Sequence, residues 1–349
     1  MSRQEPEAPT TLGADSPLSE TSPQMPTVTL IVPCYSKDRI PDLARLLGSI
    51  ERQPDKLDEL VVVVQRSAEL KKWVESNIPQ SFTTRAHIVY LDETPRVSRA
   101  RNAGVDASHC DIVAFADDDA ILAEDWVAQT RRFYRSYPDA IGVAGAILPM
   151  WDSPSMEWFP RELYWMISCT YWTSSTPFVV RNGYGANMSF RREAFAGGRR
   201  FNEDTGIGGW GQSGWRGMGG EEPEFSQRVT AATGQSVFYV PDIRVWHRVK
   251  PYRLKTAPLA RRAYWEGRFK AWFAHHHGGK VLGTEWSLLD AVRKATIQRL
   301  RLGLRHPILA TRQHWLVRIV ILSVGFGYLD GRLRLLRSPT RDPGKGDKK

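Results

Sequence analysis

The sequence predicts an α/β fold built on a mostly parallel sheet with helices on both faces, and three observations lead there. Short apolar runs alternate with stretches of helical periodicity. The runs are continuously apolar instead of alternating, as in strands buried on both sides. Where one run ends, three aspartates follow in "AFADDDAIL", and in open α/β sheets ligands bind beyond the carboxyl ends of the strands.

The elements follow in order. "TVTLIV", Thr27 to Val32, is a strand that stops at Pro33, and "IPDLARLLGSIERQ" then sets Leu43, Leu46, Leu47 and Ile50 at helical spacing. Leu60 to Val64 is a second strand, followed by a helix carrying Leu70, Trp73 and Val74. His87 to Leu91 is a third strand, "VSRARNAGVDAS" a helix, and "DIVAFA" a fourth strand that runs into the aspartates. A helix, "EDWVAQTRRFYRSYP", and a strand, "AIGVAGAIL", come next. From Met150 to Val180 the chain is dense in aromatic residues and shows little strand alternation. "GYGANMSFRREAF" leads to Gly206–Gly220, where eight of fifteen residues are glycine, a composition suited to a lid. "GEEPEFSQRV" turns into a helix, and "SVFYVPDIRVWHRV" supplies the last strand-like segments. No internal repeat is found.

With 349 residues, 42% of them hydrophobic, the chain can bury a substantial core without disulfides. Cys34, Cys110 and Cys169 are far apart and have no zinc-module spacing, which fits a reducing compartment. Residues 1–26 are rich in Pro, Ser, Glu and Thr and read as a disordered arm, not a signal peptide. The net charge of +10 belongs to the end of the chain: residues 291–349 hold 14 Lys/Arg against three Asp/Glu. That region contains "WLVRIVILSVGFGYL", Trp315 to Leu329, which is shorter than the roughly 20 residues of a membrane span and carries Arg318. It suits a helix lying in a membrane interface, with arginines facing anionic headgroups. A core helix with a solvated basic face is the plainer reading. No aromatic and basic motif for nucleic acid accompanies the charge, and none is expected as a partner.

Three adjacent carboxylates repel one another, so a cation or a set of hydrogen bonds must offset them. Asp117 and Asp119 flank Asp118 and can offer oxygens on one side to Mg²⁺ or Mn²⁺, leaving positions for a phosphate-bearing ligand. The alternative is a helix N-terminus capped by Asp119 or Glu124, which leaves two carboxylates unexplained.

The ordered set "TLIVPCYS…RNAG…VAFADDDAI…GANMSFRREAF…GEEPEF…VWH" resembles glycosyltransferase family 2, inverting enzymes of the Rossmann-like GT-A fold. It is most similar to membrane-associated members that extend lipid-linked glycans, archaeal glucuronosyltransferases acting on glucosyl-dolichyl phosphate among them. The resemblance spans about residues 27–275, with an echo in "VGFGYLDG". This predicts a disordered arm (1–26), a GT-A domain (27–275) and a basic amphipathic membrane-associated region (276–349).

The resemblance implies that Asp117 and Asp119 hold a metal on the sugar-nucleotide diphosphate and that His247 approaches the same metal. Taken alone, a histidine at a strand end is more often a hydrogen-bonded residue than a ligand. Glu222 matches the catalytic base, which accepts the acceptor hydroxyl's proton during inverting attack, with Glu221 as its alternate. Both also fit first-turn acids on a helix dipole. Pro33, Tyr35, Arg101, Asn102, Asp117 and Asp118 fall on segments implied to bind the nucleotide sugar. Gln65 stands where many relatives have an Asp against uracil; its amide can still bond a pyrimidine edge, and UDP stays the favoured nucleotide. Asn187, Tyr164 and Trp165 are the implied acceptor and sugar contacts, although aromatics such as Trp158 and its neighbours also serve as core. No Q-x-x-R-W signature of processive synthases appears, favouring transfer of a single sugar.

The expected activity is transfer of a sugar from a nucleoside diphosphate to a polyprenyl- or dolichyl-phosphate-linked saccharide or a cell-surface polysaccharide precursor, at the cytoplasmic face of the membrane. A divalent-metal nucleotidyl or phosphoryl transferase would need a phosphate-cradling glycine turn after the first strand, and "VPCYSKDR" has no glycine. A non-catalytic sugar-nucleotide binding protein would need no base at Glu222.

Overall fold

A computed structural model of the chain describes residues 24–82, 85–203, 219–278, 290, 292–297, 299, 303 and 305–337. Most of the N-terminal arm and all of the glycine-rich segment except Gly219 and Gly220 lie outside the described residues.

The first half is the alternating unit that the apolar runs predict. Strands β1 (Val28–Cys34), β2 (Glu59–Gln65), β3 (Ala86–Leu91) and β4 (Ile112–Phe115) are joined by helices α1 (Ile40–Glu51), α2 (Ala68–Asn77) and α3 (Val97–Asp106). Their order is β3-β2-β1-β4, and all three pairings are parallel. Alternate side chains enter opposite layers: Leu30 and Val32 meet Leu43, Leu46 and Ile50 of α1, while Ile31, Val61 and Val63 meet Phe115, Phe190 and Phe225. With both faces covered, β1, β2 and β4 have no solvent-facing side, which explains their apolar runs, whereas β3 at the sheet edge is half-exposed. Local signals set the helix starts. Pro41 sits in the first turn of α1, and the Ser67 hydroxyl accepts the Leu70 N–H at 3.2 Å to cap α2.

The second half departs from a mostly parallel sheet. Strands β5 (Ala120–Leu122), β6 (Ala140–Trp151), β7 (Phe178–Val180), β8 (Met188–Arg191) and β9 (Ser236–Val249) extend the order as β4-β8-β6-β9-β5, with β7 also on β9. Here β4–β8, β6–β8, β5–β9 and β7–β9 are antiparallel, and only β6–β9 is parallel. The sheet is therefore mixed, because β8 enters between β4 and β6 as a return strand with no crossover helix. Helix α4 (Trp126–Ser136) covers this half, and α5 (Glu221–Thr233) places Phe225 and Val229 in the core.

Among the described residues, two long helices follow the sheet, α6 (Thr256–His277) and α7 (Pro307–Arg337). They approach closely at glycines: a Cβ on Gly267 would overlap the Val324 carbonyl, and one on Gly327 the Tyr264 carbonyl. The Tyr264 hydroxyl donates to Asp330 at 2.7 Å across the same contact. Gly327, Asp330 and Gly331 of the echo "VGFGYLDG" thus lie on the packed face of α7, whereas Phe326 and Leu329 are exposed. No helix among the described residues is long and apolar enough to cross a membrane.

Candidate active site

A cleft of about 650 Å³ opens at the carboxyl ends of β1, β2 and β4. Its walls include Pro33 near the end of β1 and Tyr35 just after it, Gln65 at the end of β2, Arg101 of α3, the three aspartates after β4, and Gly220 to Pro223 at the start of α5.

The aspartates form a turn between two strands, closed by the Ala120 N–H donating to the Asp117 carbonyl at 3.0 Å. They do not cap a helix: α4 begins only at Trp126, with Asp125 at its N-cap. The β5–β9 register sets Ala120 opposite His247, which brings His247 Nε2 to 3.1 Å from Asp119 Oδ1. One ligand atom each from Asp117, Asp119 and His247 lie within 4.8 Å of one another. Two carboxylates and an imidazole suit a hard or borderline divalent cation. Two buried polar atoms beside it, Asp118 Oδ2 and His247 Nδ1, have no hydrogen-bond partner, so the cluster fits a group not supplied by the fold.

Arg39 offsets part of the repulsion. Its guanidinium pairs with Asp118 Oδ1 at 3.1 Å and with Asp119. Burial would raise the Asp119 carboxyl, but His247 and Arg39 together hold it well below the usual carboxylate range. Asp118 goes the other way: burial, opposed by Arg39 but assisted by the charges of Asp119 and Asp117, pushes it up to about 8.

Across the cleft, Arg101 joins the two acidic groups. Its Nη1 lies 3.2 Å from both Glu221 Oε1 and Glu222 Oε1, and its Nη2 lies 3.9 Å from Asp117 Oδ1. Glu221 is buried; burial and then the charge of Glu222 raise its pKa, so it is held toward its protonated form. The Glu222 side chain is 17% exposed and reaches the cleft. Two glycines make this arrangement possible. Gly220, the α5 N-cap, has φ +115° and sits where a Cβ would overlap the Phe269 ring. A Cβ on Gly185 would overlap the Arg101 guanidinium and come within 3.0 Å of Glu222 Oε1.

Residues 29–198 match the family model described as "Glycosyl transferase family 2". The chain carries a family 2 glycosyltransferase domain. This glycosyltransferase is 29% identical to "Glucosyl-dolichyl phosphate glucuronosyltransferase" of Haloferax volcanii, over 88% of its own chain and 96% of the relative. It is 27% identical to "Succinoglycan biosynthesis protein ExoM" of Rhizobium meliloti, over 85% of its own chain and 91% of the relative. Among solved structures it resembles a mannosyltransferase from Pyrobaculum calidifontis in complex with GDP-Man and Mn²⁺, with a TM-score of 0.55, 18% identity and 88% of each chain covered. That likeness gives the fold, GT-A.

The glycosyltransferase cleft gathers Pro33, Tyr35, Gln65, Arg101, Asp117, Asp118, Asp119, Trp165, Glu221 and Glu222. His247 is buried behind the aspartates and not on the wall. Three residues expected to contact substrate are not on the cleft wall. Asn102 is turned to the protein interior, where its side chain accepts the Phe201 N–H at 2.8 Å and donates to the Phe201 carbonyl at 2.9 Å. Asn187 is buried, accepting from the Trp126 indole at 3.0 Å and donating to the Ala146 and Ile243 carbonyls. Its amide is fully occupied in joining α4, β6 and β9. Tyr164 stacks on Phe159 and meets Trp151 edge-on.

Other cleft residues escaped the sequence reading. Arg39 is one, since its acidic partners are 79 and 80 positions away. Tyr252 and Arg253, just before α6, and Arg262 and Lys270, along α6, are others. Gly185 had a signal, lying two residues before Asn187 in "GYGAN", but a glycine's steric role shows only once its neighbours are placed.

Proposed function

We propose that this glycosyltransferase moves a single sugar, with inversion, from a nucleoside-diphosphate sugar, UDP favoured, to a polyprenyl- or dolichyl-phosphate-linked saccharide. The carrying observation is Arg101, which spans from the metal-type carboxylate Asp117 to the base-type carboxylate Glu222 inside one cleft. Asp117, Asp119 and His247 would hold Mg²⁺ or Mn²⁺, which supplies charge neutralisation to a departing diphosphate. Arg101 adds a fixed positive charge on the same side, preorganised by burial among three carboxylates. Glu222 accepts the proton of the acceptor hydroxyl as that oxygen attacks the anomeric carbon. Glu221, held toward its protonated form, keeps the Arg101 site from carrying a second full negative charge. Gln65 is positioned by its Oε1, which accepts the Arg96 N–H at 2.7 Å, and it faces the nucleotide side.

The acceptor reading rests on the opposite wall. Arg253 and Arg262 each make one long side-chain hydrogen bond of 3.4 Å, to the Ile167 carbonyl and the Ser168 hydroxyl, leaving donors for a lipid phosphate. Trp165 and Trp172 offer ring faces nearby. The relative from Haloferax volcanii is named for glucosyl-dolichyl phosphate, in keeping with such an acceptor.

The exposed surface of α7 supports a membrane-bound position. Its exposed Ile308, Trp315, Leu322, Phe326, Leu329, Leu333 and Leu336 recur at intervals of three, four and seven, forming one apolar stripe. Arg312, Arg318, Arg332, Arg334 and Arg337 lie on the same helix, as a helix seated on anionic lipid requires. The basic region 276–349 is accordingly proposed to dock the enzyme on the cytoplasmic face, where its free cysteines stay reduced.

Incubating the protein with a panel of nucleotide sugars, Mn²⁺ or Mg²⁺ and short polyprenyl-phosphate saccharides tests the reading. Release of nucleoside diphosphate and a product of inverted anomeric configuration is expected. Absence of release with every donor, or full turnover by both Asp119→Asn and Glu222→Gln, overturns it.

A further inference from the structure

A second cluster of metal-ligating side chains lies at the other end of the sheet. Glu59 is the first residue of β2, His87 the second of β3, and His109 lies just before β4. Strand geometry puts Glu59 about 20 Å from Gln65 at the cleft end of β2. The three ligand atoms lie within 4.8 Å of one another. Both imidazoles converge on one oxygen, with His87 Nε2 at 3.1 Å and His109 Nδ1 at 2.8 Å from Glu59 Oε1. The other carboxylate oxygen accepts from the Thr29 hydroxyl and, at 2.8 Å, from the His109 N–H.

We propose that Glu59, His87 and His109 form a binding site for a zinc-class divalent cation, separate from the catalytic cluster. Two imidazoles and a carboxylate are a donor set for zinc, with bonds of about 2.0–2.2 Å that place tetrahedral ligand atoms about 3.3 Å apart. The separations of 2.8 and 3.1 Å need only a few tenths of an ångström of widening. Thr29 and the His109 backbone orient the carboxylate from behind, the outer hydrogen bonding such ligands use. Glu59 is buried, whereas His87 and His109 are exposed, so a cation enters from solvent and keeps an open fourth position. It would tie together β2, β3 and the turn into β4, stabilising the parallel half of the sheet.

The test is calorimetric titration of the chelator-stripped full chain with Zn²⁺, repeated on His87→Ala/His109→Ala, Glu59→Gln and Asp119→Asn. Wild type should bind one equivalent that survives Asp119→Asn and weakens at least about 100-fold in the histidine pair variant, since even outer-shell partners are worth 10–100-fold. Co²⁺ in the same site should give the intense visible absorption of four-coordinate cobalt, lost in the pair variant. Zinc should raise the melting temperature of wild type but not of the pair variant, and donor turnover should match in both. Equal zinc affinity and stoichiometry in wild type and pair variant overturn the proposal. So does a wild type whose whole zinc uptake vanishes in Asp119→Asn.

Discussion

Arg101 is a single cation shared among Asp117, Glu221 and Glu222, so the consequences of changing those carboxylates differ by exposure. Glu222→Gln removes the carboxylate that reaches the cleft, and kcat should fall by about 10²–10⁴, the range of general-base catalysis, with donor affinity by calorimetry nearly unchanged. Glu221→Gln replaces a buried group already held toward its neutral form, so the same assay should show a smaller loss. Gly185→Ala puts a methyl where the Arg101 guanidinium lies. The guanidinium must then swing from both acids, and kcat/KM should drop while the melting temperature stays within a few degrees. At this scale the sequence was legible where chemistry is local. Three consecutive aspartates and paired glutamates stand out in one dimension, whereas Arg39 is an ordinary surface-type residue until folding brings it to Asp118 and Asp119. Asn187 misled for the converse reason, because an amide beside a functional segment is indistinguishable in sequence from one consumed by the Trp126 indole and two carbonyls.

Among the elements, the strands that stand out most plainly are those covered on both faces, although the half-exposed edge strand β3 was readable too. β2 and β4 are buried throughout, and β1 at every position but the half-buried Pro33, and all three appear as apolar runs. β5, β7 and β8 have three, three and four residues, too few for any periodicity to register, and they turn the sheet from parallel to mixed. The α6–α7 pair was readable only as an apolar run; its glycines matter because the two backbones touch. Gly327→Val should therefore cost about 1–3 kcal/mol or more through overpacking, read as a lowered melting temperature. Asp330 adds a pH-dependent part to the same contact. Burial opposes ionisation, but the Tyr264 hydroxyl and Arg334 outweigh it and lower the pKa. A depressed acid contributes stability above its unfolded value of about 3.9, and that contribution is lost as pH falls through the lower folded value. Asp330→Asn should flatten the acid limb of the stability curve slightly, and added salt should shrink the difference, since the side chain is 32% exposed and open to screening.

Over the whole molecule, positive charge and exposed apolar surface are concentrated together at the C-terminal end, and the proposed docking of α7 on lipid would give the molecule one orientation. Residues 1–290 are close to neutral, while 291–349 hold 14 Lys/Arg against three Asp/Glu. The composition already located this basic end, but which face of α7 is free depended on where α6 packs. The side bearing Leu316, Val317, Val320, Gly327 and Gly331 is buried, and the apolar stripe on the other side has no cover among the described residues. Because α6 supplies Arg262 and Lys270 to the cleft and also packs on α7, docking α7 on lipid would hold the acceptor wall next to the bilayer. Replacing Leu322, Phe326 and Leu329 together by serine removes the middle of the stripe without touching the buried side. This variant should lose most of its co-sedimentation with vesicles containing anionic lipid and retain turnover of a soluble short-chain acceptor. Wild-type binding should weaken with salt, because part of the attraction is arginine to headgroup. A triple variant that still pellets like wild type would place the membrane contact elsewhere on the chain, and equal losses of vesicle binding and soluble turnover would mean the stripe serves folding instead.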